Sequence, residues 1–319
     1  MKVWLAYIGY LMSIIILLLH AMFIGNELLY KMDNLIIFVQ SIYFFSFVKN
    51  LVGSNLAQFY YGWFFMHAGF LPNIFSSVIP DEYMELSAPP SFKLVNMDGN
   101  YFRNAGFSLG WLLIFIGVHL FISFIIWAIV FRIKKKKESW YFGIAKQSLA
   151  AGFEFFSMNL IFFSLTQLHY SYNHTYTADE FFERSQAMAI ITLVVYSIYT
   201  ILKLLFSPLG GIYMLKRFSL CLCLAFSYNI NLVVIAVVGV ELLFIILRFK
   251  VENPGKGPQK GTIVGEAVFL CGAYLLLFLC LDSGVNTVII SSIIFIFMVY
   301  LSYDLTTIYL ESRDEFPES

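Results

Sequence analysis

Three polar residues lie inside long apolar stretches, where a charge or an unpaired amide is costly. Glu241 stands between Val-Gly-Val and Leu-Leu-Phe, and Glu154 and Asn159 share an earlier apolar run. Ionisable groups inside membrane segments commonly mark proton or cation sites. The structural alternative is a protonated, hydrogen-bonded carboxyl group, or one paired with a lysine, that joins two helices. We favour this second interpretation.

Other reactive residue types do not form a catalytic or metal-binding pattern. Residues 106–110 read Gly-Phe-Ser-Leu-Gly and match the G-x-S-x-G of a nucleophile elbow, but Ser108 opens an apolar helix instead of following a strand. His20 and His119 are single histidines on apolar stretches, whereas haem in a helical bundle needs facing pairs. The sequence therefore predicts no enzyme, no metal site and no cofactor.

The stretches that carry these residues are too hydrophobic for a water-soluble fold. The 319-residue chain is 60% hydrophobic and 13% charged, with a mean hydropathy of +0.79. Soluble domains carry about 25% charged residues. The formal net charge is zero, which gives no basic field for nucleic acid. We predict an all-α polytopic integral membrane protein whose first partner is the lipid bilayer.

All four cysteines lie in apolar runs, where a thiol acts as a small apolar side chain. None is placed to form a loop disulfide. They are Cys221, Cys223, Cys271 and Cys280.

Apolar runs long enough for about 30 Å of hydrocarbon predict about nine transmembrane helices in a single domain over 1–319. The fifth begins after the capping box at 177–180 and is predicted to stop at the Ser-Pro-Leu-Gly-Gly break over 207–211. A single long helix is the alternative to the two spans within 213–248. The predicted spans are 3–25, 35–52, 106–131, 148–168, one ending near 206, 213–228, 231–248, 262–281 and 285–307.

The segments between the spans have distinct compositions. Residues 26–34 are predicted to form a short polar turn, and the aromatic stretch 55–66 an interfacial helix. The other predicted connections are an extracytoplasmic loop at 67–104, a basic cytoplasmic loop at 132–147, a polar loop at 167–184, a flexible cytoplasmic linker at 249–261 and a cytoplasmic tail at 310–319.

Positive charge predicts the orientation. Lys134, Lys135, Lys136 and Lys137 form the one dense cationic run, and such runs stay on the cytoplasmic side. With the N-terminus outside and the C-terminus cytoplasmic, fifteen cations near span ends fall inside and five outside. Among the fifteen, Lys203 is expected to reach the inner surface. The same orientation places the sequon at Asn173 outside, as a possible glycosylation site in a plasma or internal membrane. The mitochondrial inner membrane is the alternative location.

A series of short motifs resembles a known module. It runs from Phe38-Val39-Gln40, through aromatic 55–65 and Leu71-Pro72-Asn73, to Tyr101–Phe107 and Lys216-Arg217-Phe218, which opens a short helix broken near Asn229. The order resembles the TRP-like multi-span module that closes many protist, especially ciliate, cysteine-rich surface proteins. The resemblance covers most of the chain in layout and implies architecture more than activity.

These observations favour a non-enzymatic membrane anchor or a structural component of a larger assembly with protein partners. The alternative is a TRP-like channel or transporter that uses the intramembrane carboxylates. A lipid-embedded subunit of an energy-converting complex is a third possibility.

Overall fold

A computed structural model describes residues 27–48, 61, 67, 71–79, 92–93, 97, 99–134, 139–172, 180–226, 230–252, 263–265, 267–268 and 270–275. Helices supply the regular structure throughout these residues. The prediction of an all-α fold is confirmed for this part of the chain.

Six α-helices form the described bundle, with a short helix after them over Ile263–Leu275. Single 3-10 turns cover Phe45–Phe47 and Ser76–Val78. The six helices are α1, Glu27–Phe44; α2, Tyr101–Lys134; α3, Ser139–Tyr172; α4, Glu180–Phe206; α5, Pro208–Phe226; and α6, Ile230–Glu252.

Five of these helices, α2 to α6, are long and apolar enough to cross a bilayer. The chain is therefore a polytopic membrane protein. Of the nine predicted spans, 3–25 and 285–307 lie outside the described residues. Two others, 35–52 and 262–281, are represented by the shorter apolar helices Ile36–Phe47 and Ile263–Leu275.

Helix α3 is the centre of the bundle. Its membrane segment is 83% buried, against 17% for α2 and 22% for α4. It packs against α2, α4 and α5, and α5 packs in turn against α1, α4 and α6. The outer faces of α2, α4 and α6 expose Leu, Ile, Val and Phe side chains, which suits contact with lipid.

The two helices α5 and α6 form a hairpin. They pack side by side, and Lys216 pairs with Glu241 at a similar distance from the connection at 227–229. The prediction of two spans over 213–248 is confirmed, and the alternative of one long helix is wrong. A single straight helix cannot bring residues 216 and 241 together.

The break between α4 and α5 occurs where the sequence predicted it. Ser207 is the one residue between the helices, and Pro208 opens α5, a position that needs no backbone N–H. The Ser207 amide donates to the Lys203 carbonyl oxygen at 2.7 Å, and the Gly211 amide donates to the Ser207 carbonyl oxygen at 2.9 Å. Gly210 and Gly211, predicted to belong to the break, lie inside α5.

Several predicted helix boundaries are wrong because the helices extend into segments predicted as loops or turns. In each case the helix continues beyond its most apolar part. The polar turn at 26–34 is helical from Glu27, and the loop at 67–104 gives way to helix at Tyr101. The basic loop at 132–147 is helical up to Lys134 and again from Ser139, and α3 and α6 extend into the predicted loops as far as Tyr172 and Glu252.

Two boundaries differ for another reason. The predicted span 35–52 leaves the α-helix after Phe44, where a 3-10 turn begins. The aromatic stretch 55–66 lies outside the described residues except for Tyr61.

Candidate functional site

Six charged side chains and one amide, from five helices, meet inside the bundle. We call this group the ion-pair cluster. All but Lys203 are fully or almost fully buried. Its members are Asp33 and Asn34 on α1, Glu154 on α3, Lys203 on α4, Lys216 and Arg217 on α5, and Glu241 on α6.

Arg217 lies at the centre of the cluster and is 1% exposed. Its Nη2 donates to the carboxylate of Asp33, and its Nη1 lies 3.5 Å from Glu154 Oε2. One guanidinium group therefore joins α5 to α1 and α3. A planar group with five N–H donors is suited to serving two carboxylates at once.

Glu154 receives two further contacts from α4. Lys203 Nζ lies 2.7 Å from Glu154 Oε1, and the Tyr199 hydroxyl donates to the same oxygen at 2.8 Å. Whether Lys203 also reaches the inner membrane surface stays a prediction, since its side chain is 24% exposed. The ion pair of its ammonium group with the buried Glu154 carboxylate could not be inferred from the sequence.

Glu241 pairs with Lys216 at 2.7 Å, and both side chains are almost fully buried. The Lys216 ammonium also donates to Asn34 Oδ1 and lies 4.5 Å from the centre of the Phe244 ring. A cation over an aromatic face is stabilised by the ring quadrupole. The structure therefore has Glu241 in the lysine-paired arrangement, which links α5, α6 and α1.

Lys216 and Arg217 were counted among the fifteen cations near span ends, and this placement is wrong. They are the ninth and tenth of the 19 residues of α5 and lie inside the bundle. Arg248 is also buried, at 6% exposure. Three of the fifteen cations assigned to the cytoplasmic side, Lys216, Arg217 and Arg248, thus belong to the bundle interior. The orientation stays a prediction and rests on the remaining twelve.

A small cavity of about 10 Å³ lies beside Glu241. That volume holds about one water molecule. The polar residues that line it are Asn34, Glu241 and Arg248, and the apolar ones are Phe244, Ile245, Ile263 and Ala267.

Asn159 does not belong to the ion-pair cluster. It is fully buried on α3, and its Nδ2 donates to Ser108 Oγ on α2 at 2.8 Å. Ser108, the central residue of the G-x-S-x-G match, therefore takes part in a contact between two helices.

Uncharged polar groups meet at the other end of the bundle, and we call this group the neutral cluster. Gln167 Oε1 accepts hydrogen bonds from the Tyr101 amide at 2.8 Å and from Ser185 Oγ at 3.2 Å. The Tyr101 hydroxyl lies 2.8 Å from Thr192 Oγ1, and Ser185 Oγ also lies 3.3 Å from Asn100 Oδ1. These contacts connect α2, α3 and α4.

His67 is buried near this end. Its Nε2 lies 3.0 Å from the Gln40 carbonyl oxygen and therefore carries the proton, while its ring lies 4.8 Å from those of Tyr43 and Phe44. Burial lowers the pKa of His67 to about 3. The imidazole is neutral at physiological pH.

The other predicted positions that the structure describes lie outside the ion-pair cluster. Lys134 ends α2, whereas Lys135 to Lys137, Asn173, His20 and Cys280 lie outside the described residues. His119 stacks on Phe115, and Cys221, Cys223 and Cys271 are free thiols. Within the described residues, three or more His, Cys, Asp or Glu side chains do not gather as a metal site would require.

Sequence reasoning missed Asp33, Asn34, Lys203, Lys216 and Arg217 as members of the cluster. One signal was available. If α5 is started at Pro208, its central turn falls on Lys216 and Arg217.

No protein-family model, curated protein or solved structure matches this chain.

Proposed function

We propose that this polytopic membrane protein is a non-enzymatic membrane anchor or structural component of a larger assembly. The observation that carries the proposal is the internal pairing of charge. Asp33, Glu154 and Glu241 each contact a cation from another helix, at positions inside the bundle. Charges that are satisfied by neighbouring helices hold those helices together and need no external ion.

The energetics of buried ion pairs support a role in specifying the structure. Desolvation offsets most of the attraction between buried partners, so such pairs add little net stability, but losing one partner is costly. A pair such as Lys216–Glu241 therefore penalises any register in which the two residues are apart. We infer that the cluster selects one arrangement of α1, α3, α4, α5 and α6.

The TRP-like layout is part of the proposal and concerns architecture. It is supported by the order of the motifs, with Lys216-Arg217-Phe218 in a short helix that ends before Asn229. The proposal includes protein partners, as expected for a module that closes larger surface proteins.

Transport is the second candidate function, and one observation favours it. The cavity beside Glu241 is large enough for about one water molecule, which would lie next to an intramembrane carboxylate. A carboxylate in contact with water can exchange a proton, and intramembrane carboxylates commonly do so in transporters.

A pair of variants distinguishes the two functions. Glu241→Gln leaves the Lys216 charge buried without its partner, whereas Lys216→Met with Glu241→Gln removes both charges. If the pair is structural, Glu241→Gln lowers the free energy of unfolding by about 3–5 kcal/mol and the double variant recovers most of that loss. Denaturant unfolding of the full-length protein in detergent measures both effects.

Flux measurements on the same proteins complete the test. Proteoliposomes with internal pH-, Na⁺- and K⁺-sensitive dyes should respond like empty liposomes if the protein is an anchor. A flux through the native protein that disappears in the double variant, while stability is retained, would support transport and refute the structural role.

A further inference from the structure

The segment Leu71–Val78 is held against helix α2 by specific contacts, and we call it the strap. Trp111 Nε1 donates to the Pro72 carbonyl oxygen at 2.9 Å, and Asn73 Nδ2 donates to the Phe102 carbonyl oxygen at 3.0 Å. Within the strap, Asn73 Oδ1 accepts a hydrogen bond from the Phe75 amide at 3.0 Å. The strap belongs to the loop predicted at 67–104, but this part of that loop is docked on the bundle.

Two glycines on α2 make the groove in which the strap lies. Gly106 and Gly110 are four residues apart and so share one face of the helix. A Cβ atom at Gly106 would lie 2.8 Å from Asn73 Oδ1, and one at Gly110 would overlap the Ile74 side chain. The G-x-S-x-G match therefore has a steric explanation, because its glycines leave space for the strap.

The strap lies at one edge of the lipid-facing surface. Along α2, large apolar side chains are exposed from Leu113, at 52%, to Ile129, also at 52%, over about 24 Å of helix. Trp111 precedes this belt, and Arg132 follows 21 residues after Trp111, about 31 Å further along. That separation equals the thickness of the hydrocarbon core, about 30 Å. With the basic end of α2 at one boundary, Trp111 lies at the other, where tryptophan is enriched.

Helix α4 marks the same boundary independently. Its exposed apolar side chains begin at Ile190 and reach Phe206, again about 24 Å of helix. Glu183 and Arg184 are exposed about 9 Å before Ile190, on the polar side of this edge. Both helices therefore have an exposed apolar belt of about 24 Å, which is most of a hydrocarbon core of about 30 Å, and a polar extension beyond it.

We propose that the strap is an interfacial segment whose partner is lipid, at the membrane boundary opposite the Lys134 end of α2. Ile74, 41% exposed beside Trp111, enters the boundary between headgroups and acyl chains. Ser76 and Ser77 are exposed and face the headgroups. The groove fixes the depth of Ile74, and the strap thereby anchors one side of the bundle in the interface.

Depth-dependent fluorescence quenching tests this placement. A full-length protein with its four cysteines changed to alanine receives Ile74→Cys or, for reference, Gly117→Cys, and is labelled with an environment-sensitive fluorophore. In phosphatidylcholine vesicles, the Ile74 label should be quenched most by lipids carrying a quencher near the headgroup. Gly117 lies six residues past Trp111, inside the apolar belt of α2. Its label should be quenched most by lipids whose quencher lies deeper in the acyl chains. An Ile74 label quenched by aqueous iodide and by no lipid would overturn the proposal.

Substitutions that fill the groove test whether the groove holds the strap in place. Gly110→Leu should displace the strap and shift quenching of the Ile74 label from lipid to iodide. Gly117→Leu is the matched control, because no atom lies within 4 Å of a Cβ at Gly117. Trp111→Phe, which removes the Pro72 hydrogen bond and no volume from the groove, provides a milder variant if Gly110→Leu does not fold. Unchanged quenching of the Ile74 label in both Gly110→Leu and Trp111→Phe would show that the groove does not hold the strap.

Discussion

The ion-pair cluster and the neutral cluster both satisfy polar groups buried between helices. The first does so mainly with opposite charges and the second with uncharged hydrogen bonds. On α3, Glu154 and Gln167 are thirteen residues apart, or about 20 Å along the helix. Glu154 meets Lys203 of α4 at a level where α4 faces lipid, whereas Gln167 contacts Tyr101 and Ser185, which precede the exposed apolar belts. Charge lies at lipid depth, and neutral hydrogen bonds lie near the edge.

The two clusters should differ in what happens when a substitution removes the partner of a buried polar group. At the edge of the bilayer, water can satisfy an amide or hydroxyl group whose partner is removed. At lipid depth, water is scarce, and a lone charge keeps its full desolvation cost. The ion-pair cluster should therefore be the region most sensitive to single substitutions, and both regions can be tested in one unfolding assay.

The largest effect is expected from Arg217→Met. This change leaves the carboxylates of Asp33 and Glu154 without their shared guanidinium group and should lower the free energy of unfolding by about 3–5 kcal/mol. Denaturant unfolding in detergent measures it. Arg217→Lys is the control and should recover part of the loss, because it restores the charge without the planar donor geometry. A loss below 1 kcal/mol in Arg217→Met would remove the contrast between the clusters.

A smaller loss is expected from Gln167→Leu in the neutral cluster. It removes the acceptor used by the Tyr101 amide and by Ser185 Oγ. Ser185 Oγ keeps Asn100 Oδ1 as an acceptor, so the loss should come mainly from the orphaned Tyr101 amide, at about 1–3 kcal/mol. The matched control is Gln186→Leu, at a half-buried glutamine on α4. If Gln167→Leu proves as costly as Arg217→Met in the same assay, the neutral cluster is not relieved by water.

The effect that is smallest near neutral pH is the pH dependence of stability that His67 causes. In the folded protein its pKa is about 3, against 6.5 for an ordinary histidine. Between these values the unfolded chain binds a proton and the folded chain does not, so stability falls as pH drops below about 6.5. At pH 5 the loss relative to pH 7 should be about 2 kcal/mol.

The matched variant for this effect is His67→Gln. Glutamine retains an N–H donor for the Gln40 carbonyl oxygen and does not titrate. Its stability should be flatter between pH 7 and pH 5 than that of the native protein, measured by thermal unfolding. Identical slopes for the two proteins would assign the acid sensitivity to other groups.

The sequence was informative wherever a local pattern determines structure. Pro208 after Ser207 marked a helix boundary, and the polar break near Asn229 marked a hairpin. Glu241 was identified as a deep carboxylate because the residues around it are apolar. Each of these inferences needs only a few neighbouring residues.

The partners in the ion-pair cluster could not be inferred in that way. Asp33 and Arg217 are 184 residues apart, and Lys216 and Asn34 are 182 apart. A polar pair at the start of an apolar stretch looks like a turn, and two adjacent cations look like the end of a span. Both resemble solvated positions until the opposite charges on other helices are known. The strap was missed for the same reason, since its groove and its contacts lie on separate segments.

The placement of Lys216 and Arg217 has a consequence for how the protein is made. On insertion scales, each cation near the centre of a helix costs about 2.5–3.5 kcal/mol, so α5 alone is a poor candidate for release into lipid. Asp33 and Glu154 have already been synthesised when α5 emerges from the ribosome, but Glu241 follows in α6. We expect the translocation machinery to retain α5 until α6 arrives and to pass the two on together, with the ion pairs forming during biogenesis.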